Sequence, residues 1–317
     1  MATGSASRKV IYAALAGNLL IALTKFAAAA WTGSSAMLSE GVHSVVDTSN
    51  QLLLLYGINR SAKPRDGEHP LGYGRELYFW SFIVALLIFS LGAGVSFYQG
   101  IAHISAPVPA RDPFVNYVVL GVSFVFEGTT FWIALKEFNK MRGALGYFEA
   151  VIRSKDPPSF LVLFEDSAAL IGIVIAFIGT LAADKLAMPV LDGAASIGIG
   201  ILLAATAMFL ARESKALLIG EGARGHTMRS IRKIAAEQPG VEQVNDLVTV
   251  HLAPNQVVAA LSLEFKDALT TPQIEDAVAT IERRIREVHP EVVSIFVKPQ
   301  SSSTRDQRAL LTPATKP

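Results

Sequence analysis

The hydrophobic positions of this chain fall in long unbroken blocks, not in the narrow stripes of a surface helix or the alternation of a half-buried strand. Blocks lie near residues 10–31, 35–58, 77–101, 114–135, 160–183 and 187–210. As helices rising 1.5 Å per residue, they are long enough to cross roughly 30 Å of hydrocarbon. The second and fifth are the weakest because ionisable groups interrupt them. The pattern predicts an α-helical membrane protein with six transmembrane helices. The first block follows only Arg8 and Lys9, lacks a small-residue cleavage site and exceeds a signal-peptide core in length, so it reads as a retained helix.

After Ala211 the pattern changes to that of a soluble domain. Residues 226–237 suit a helix, Pro239-Gly240 breaks it, and Val241–Leu252 and Val257–Phe265 are strand-like, separated by Ala253-Pro254-Asn255-Gln256. Thr271-Pro272 reads as a helix cap followed by proline at the first helical position. The helix after it sets Ile274, Ala277, Val278, Ile281, Ile285 and Val288 on one face. Val292–Val297 adds a last strand, which completes a small α+β sandwich. The expected division is a short N-terminus (1–9), a membrane domain (10–215), a soluble domain (216–300) and a Ser/Thr/Pro/Lys-rich disordered tail (301–317). The stretch Lys136–Ser159 is long and polar for a helix connection, with room for a short interfacial helix around Tyr147–Arg153.

Of the 317 residues 51% are hydrophobic, too many for an ordinary soluble domain. The net charge of +1 decides little, but its distribution does. Arg60, Lys63, Arg65 and Arg75 lie between blocks two and three, and Lys136, Lys140, Arg142, Arg153 and Lys155 between four and five. The opposite loops carry Arg111 and Lys185 alone, so the basic loops and both termini are expected in the cytoplasm. The lipid bilayer is an expected partner and nucleic acid is not. With no cysteine, disulfides and thiolate ligands are excluded, leaving His and carboxylates to bind any metal.

Candidate chemistry sits inside the blocks. A carboxylate at bilayer depth costs roughly 2.5–3.5 kcal/mol on insertion scales, so a chain with several of them should use them together. His43 and Asp47 are four residues apart, about 40° around a helix, and side chains so placed can chelate one ion or satisfy one another's polar neighbours. Glu40, near the helix start, is either solvated or an addition to that pair. Glu165 and Asp166 diverge by about 100°, so one of them faces an ion and its neighbour does something else. Leu161 and Val162, one turn earlier, offer no further ligand. The fourth position is thus open to Glu165, to water or to another helix. Glu127, a lone membrane acid beside Gly128, is a candidate for it, or else a structural hydrogen-bond former. Lys25 is expected to snorkel or to pair with one of these acids. Asn18, Asn50 and Gln51 read as interhelical hydrogen-bond formers. In the loop after block two, Asp66 and His69 are close enough to share an ion or are simply solvated. His226 and His289 read as solvated, and His251 as a strand side chain. Asp192, followed by Gly193, Ala194, Ala195, Ser196 and Gly200, reads as a helix start with a small-residue packing face.

Gly33-Ser34-Ser35-Ala36-Met37-Leu38 followed by His43-Ser44-Val45-Val46-Asp47 resembles the second transmembrane helix of the cation diffusion facilitator family, and the likeness covers nearly the whole chain. The resemblance implies six membrane helices with cytoplasmic termini and a C-terminal ferredoxin-like domain. It also implies a homodimer formed through that domain and the membrane helices. The implied activity is secondary transport, not enzymatic: export of a divalent metal, most often zinc, in exchange for protons, with no cofactor besides the transported ion. His43 and Asp47 carry over as metal ligands and Asp166 matches the aspartate of the fifth helix, whereas Val162 stands where most members have a second ligand. Glu165 and Glu127 remain candidates to complete the metal site and, with His43, to carry protons. Asp66 and His69 match two ligands of a loop site in bacterial zinc exporters, with Tyr73 in place of the third. His251 alone cannot form the family's cytoplasmic zinc site.

Glu127-Gly128, Lys155-Asp156-Pro157, Leu163-Phe164-Glu165-Asp166 and His69-Pro70-Leu71-Gly72-Tyr73-Gly74 resemble a divergent branch with bacterial and mitochondrial members, usually described as zinc transporters. The expected location is the bacterial inner membrane. One imidazole among carboxylates also suits iron(II) or manganese. In another class, an open metal position would suit a membrane-embedded metalloenzyme.

Overall fold

The computed structural model describes residues 3–143, 146–152 and 154–301, so the expected tail from residue 302 and Arg153 lie outside the described residues. The chain divides into two compact units: one of residues up to Ala62 together with Glu76–Lys215, the other of Lys63–Arg75 together with residues from Ala216.

The first unit is helical. Its elements are α1 (Thr3–Thr32), α2 (Ser35–Ser61), α3 (Glu76–Leu87), α4 (Gly94–Ser105), α5 (Pro113–Arg142), the short α6 (Tyr147–Ile152), α7 (Pro157–Lys185) and α8 (Val190–Ile219). The third hydrophobic block is one continuous rod, in which the π-helical stretch Ile88–Ala93 joins α3 to α4. Among the described residues, four segments are long and apolar enough to cross a membrane: Glu76–Ser105, Pro113–Lys140, Pro157–Lys185 and Val190–Ile219. α1 and α2 are of similar length, and α2 is too polar for that test because it carries Glu40, His43, Asp47, Asn50 and Gln51.

Each join is written in local chemistry. Gly33 adopts a left-handed backbone (φ 74°) and its N–H reaches Ala29 O, which ends α1. Ser34 then caps α2, its hydroxyl accepting from Met37 N–H. α8 meets its neighbours through the expected small-residue face. A Cβ on Gly193 would lie 2.9 Å from Gly100 O of α4, and one on Gly179 of α7 would lie 2.2 Å from Ala195 Cβ. The core between the helices is built from Leu54, Val84, Leu120, Phe160, Leu161, Ile173, Ile199, Leu203 and their neighbours.

The second unit is a small sheet with helices. α9 (Gly225–Ala236) leads into β1 (Val241–Ala253), β2 (Gln256–Phe265), α10 (Thr271–Val288) and β3 (Val292–Pro299). The sheet order is β1-β2-β3, with β1 antiparallel and β3 parallel to the central β2. Val257, Ala259, Leu261, Leu263 and Phe265 alternate inward on β2 and meet Ile231 and Ile234 of α9 and Ala277, Ile281 and Ile285 of α10. The cap of α10 is one residue earlier than expected, at Thr270, whose N–H is bound by Gln273 Oε1 at 2.8 Å. His289 is buried, not solvated: Nε2 pairs with Ser230 Oγ at 2.8 Å and Nδ1 with Glu291 Oε1 at 3.3 Å, tying α9 to the end of α10. The loop Lys63–Arg75 belongs here because Gly74 packs on the β1–β2 turn, where an added Cβ would sit 2.8 Å from Leu252 O.

Candidate cation site

One face of α2 carries a polar stripe, Glu40, His43, Ser44, Asp47 and Asn50, recurring at three- and four-residue steps. α2 packs against α1 on one side and α7 on another, and α7 in turn packs along α5. The stripe is therefore enclosed by helices and not by lipid. His43 is buried and its Nδ1 lies 3.4 Å from Asp47 Oδ1, too poorly directed for a hydrogen bond. Both ring nitrogens of His43 and Oδ1 of Asp47 are buried without a hydrogen-bond partner.

The two acids of α7 are separated by helix geometry. Glu165 turns to α2, where Asn50 Nδ2 donates to its Oε1 at 2.7 Å. Asp166 turns to α5, where the charge of Glu127 and the Thr130 hydroxyl act on it, while its Oδ2 is buried and unpartnered. Asp47 feels the charges of Glu165, Glu127 and Asp166 together. Thus α2, α5 and α7 bring His43, Asp47, Glu127, Glu165 and Asp166 into one electrostatic neighbourhood. Among the described residues, however, no three His, Asp or Glu side chains close to metal-chelating distance. Val162, one turn before Asp166, is partly buried and packs on the apolar core.

Glu40 is fully buried, not solvated, and Lys25 Nζ lies 3.1 Å from its Oε2 and 2.9 Å from Ser44 Oγ. Asn18 and Gln51 join α1 to α2 through a 3.1 Å bond. Two residues with polar roles here are not visible as such from the pattern. Thr130 is one: its hydroxyl makes the bond usual for a threonine in an apolar helix, to Glu127 O of its own helix at 2.9 Å, and it also acts on Asp166. Asp192 is the other. It accepts from Ser34 Oγ at 2.7 Å, Ser35 N–H at 2.6 Å, Ala36 N–H at 3.3 Å and Thr180 Oγ1 at 3.3 Å. A carboxylate from α8 thereby caps the positive end of α2, with His103 Nε2 4.0 Å away. The Ser34-Ser35 pair ahead of the stripe was the available signal.

In the loop of the second unit, Asp66 and His69 do come together, His69 Nδ1 lying 3.5 Å from Asp66 Oδ1. The same carboxylate is already in use. Oδ1 accepts from the N–H groups of Glu68 and His69 and Oδ2 from Tyr73 at 2.6 Å, while the His69 ring lies against that of Tyr73. The Tyr73 hydroxyl and then the His69 N–H hold the Asp66 carboxyl below the usual carboxylate range. In the sheet, His251 is buried and its Nδ1 pairs with Ala253 O at 3.2 Å.

Residues 11–219 match the family model described as the cation efflux transmembrane domain, and residues 223–300 the one for the cytoplasmic domain of cation efflux proteins. The chain belongs to the cation efflux family. It is therefore an integral membrane protein with a helical transmembrane domain and a C-terminal cytoplasmic domain built on a small α/β sheet. Similar proteins include the mitochondrial proton-coupled zinc antiporter SLC30A9 of Xenopus laevis, 33% identical over 83% of this chain and 47% of that one. Metal tolerance protein C4 of Arabidopsis thaliana is 32% identical over 82% of this chain and 57% of its own. The cation-efflux pump FieF of Cronobacter sakazakii is 27% identical over 88% of this chain and 87% of its own. The chain spans about half the length of the mitochondrial antiporters it matches.

Proposed function

We propose that this cation efflux protein is a secondary active antiporter that exports zinc, or a related divalent metal, against protons, as the names of its zinc antiporter and efflux pump relatives suggest. The observation that carries the reading is the set of buried, unpartnered atoms on facing helices: both nitrogens of His43, Oδ1 of Asp47 and Oδ2 of Asp166. Unsatisfied polar groups at this depth are costly, and a dication drawn between the helices would satisfy one ring nitrogen of His43 together with the two carboxylate oxygens. His43, Asp47 and Asp166 are the central ligands in this reading. Glu165, held on the α2 side by Asn50, takes the place left by Val162, and Glu127 stands behind Asp166.

Binding requires a neutral imidazole and ionised acids, so protons leave as the ion arrives. On the far side, protons compete the ion off His43 and the acids, with Glu127 and Glu165 as further carriers. The topology that goes with this is six membrane helices, α1 and α2 included, in the inner membrane of a bacterium, with both termini cytoplasmic by the charge of the loops. The membrane domain comprises residues 10–215, and residues 216–300 form a ferredoxin-like cytoplasmic domain. The two-domain match, including a dimerisation domain, supports a homodimer. The loop pair Asp66 and His69 is a secondary candidate only, because Tyr73 competes for the carboxylate.

The test is uptake of zinc, iron(II), manganese and cobalt by proteoliposomes under a pH gradient. Zinc is expected to move fastest, and iron(II) or manganese first would favour the harder-metal alternative. Asp47→Ala and Asp166→Ala are expected to abolish flux while leaving the unfolding midpoint in place. Full flux in Asp47→Ala would defeat the assignment.

A further inference from the structure

Lys25 and Glu40 are fully buried in the membrane unit and lie outside the ligand set above. Their ion pair holds α1 to α2, but burying two charges costs more than burying apolar side chains of the same volume, so a mere staple would not need them. Glu40 lies one turn before His43 and two before Asp47, on the same face of α2. Its Oε2 is bound by Lys25, whereas its Oε1 is buried, has no hydrogen-bond partner and points at α7, where a Cβ on Gly172 would lie 2.5 Å away. Gly172 follows Glu165 and Asp166 by just under two turns, so this oxygen opens onto the seam that the central ligands share. The ammonium sits on a flexible four-carbon stem, and its charge acts on His43, Asp47 and Glu127.

We propose that Glu40 is a second station for the transported dication, one turn beyond the central site toward the N-terminal end of α2. Lys25 is its tethered counter-cation. The ammonium leaves the carboxylate when the dication arrives and returns when it departs, so Glu40 is never an uncompensated buried charge. The proposal rests on the reading of His43, Asp47 and Asp166 as the central site, and on release toward the Ser35 end of α2.

The experiment uses the full chain with zinc, comparing equilibrium binding by calorimetry with flux in proteoliposomes. In Lys25→Met/Glu40→Gln the pair is removed without leaving a lone charge. Zinc affinity is expected to stay within about threefold while flux falls at least about tenfold, the scale set by one charge acting on a dication across one or two turns. Lys25→Met alone leaves Glu40 free to hold zinc, and is expected to lower KM about tenfold and to slow turnover. Wild-type flux in the double variant would overturn the proposal and make the pair a staple. Loss of zinc binding together with flux in a folded double variant would also overturn it, since the pair would then only shape the central site. An unchanged KM in Lys25→Met would overturn the role of Lys25. Should the double variant unfold, Glu40→Asp keeps the charge but withdraws it from α7. Lost flux with zinc binding intact supports the station, and wild-type flux refutes it. Asp47→Ala tests the underlying reading separately: retained zinc binding and flux there would show the central site misassigned, whatever Glu40 does.

Discussion

Replacing Asp192 by alanine removes the acceptor that closes the start of α2. Four donors lose their partner: the Ser35 and Ala36 N–H groups and the Ser34 and Thr180 hydroxyls. Hydrogen bonds to a charged acceptor contribute about 1.5–3 kcal/mol each, and the two short ones, at 2.6 and 2.7 Å, dominate. The interaction of the carboxylate with the helix dipole adds about 0.5–1 kcal/mol. Relief of the buried carboxylate's own desolvation offsets part of this. The net loss is about 2–4 kcal/mol, and because Asp192 is only 3% exposed, water is poorly placed to replace it. For a unit of this size that corresponds to a fall in unfolding midpoint of roughly 5–15 °C. Intrinsic tryptophan fluorescence during a thermal ramp in detergent reads it directly. Asp192→Asn, which keeps one acceptor oxygen but sets an NH2 group against N–H donors, should fall between wild type and Asp192→Ala. A midpoint for Asp192→Ala within about 2 °C of wild type would refute the capping argument.

Other consequences are equally specific. Gly179→Ala places a methyl 2.2 Å from Ala195 Cβ, so α7 and α8 must separate at a cost of about 1–3 kcal/mol, read as a lower midpoint in the same ramp. His289→Ala strands Ser230 and Glu291 at the α9–α10 contact and should cost about 1–3 kcal/mol; an unchanged denaturation curve would argue against that link. The Asp66 carboxyl titrates below its ordinary value in the folded loop, so its contribution to loop order is present above the ordinary carboxylate pKa of about 3.9 and disappears as pH falls through the folded value. Tyr73→Phe should raise that pKa and move the loss of order to higher pH. A carbon-13 carboxyl titration that does not shift would contradict the assignment.

Much of the candidate site was readable in the order of residues because helix periodicity converts spacing into direction. Four residues place His43 and Asp47 on one face, and one residue turns Glu165 and Asp166 apart, which is why these two acids meet α2 and α5 respectively. Periodicity says nothing about what stands opposite. That Glu165 meets Asn50, that Asp166 meets Thr130, and that Asp192 caps a helix more than 150 residues away in sequence follow from how the helices pack. Glu40 shows the limit most plainly: near a helix start it reads equally as a solvated acid, and only Lys25 on α1 and Gly172 on α7 reveal it as enclosed.

The chain's order of residues settles the kind of molecule: long apolar blocks demand a bilayer, alternating strands after Ala211 demand a sheet, and acids retained inside hydrocarbon demand a use. Those are local consequences of hydrogen-bond satisfaction and of the cost of burying charge, so a single sequence carries them. Which acids become neighbours, which of their oxygens remain without a donor, and how the loop at Asp66 is occupied depend on side chains far apart in the chain converging. That convergence is fixed by close approaches between helices, such as Gly193 on Gly100 and Gly179 on Ala195, where the distance between backbones, and not any property of one segment, selects the partner.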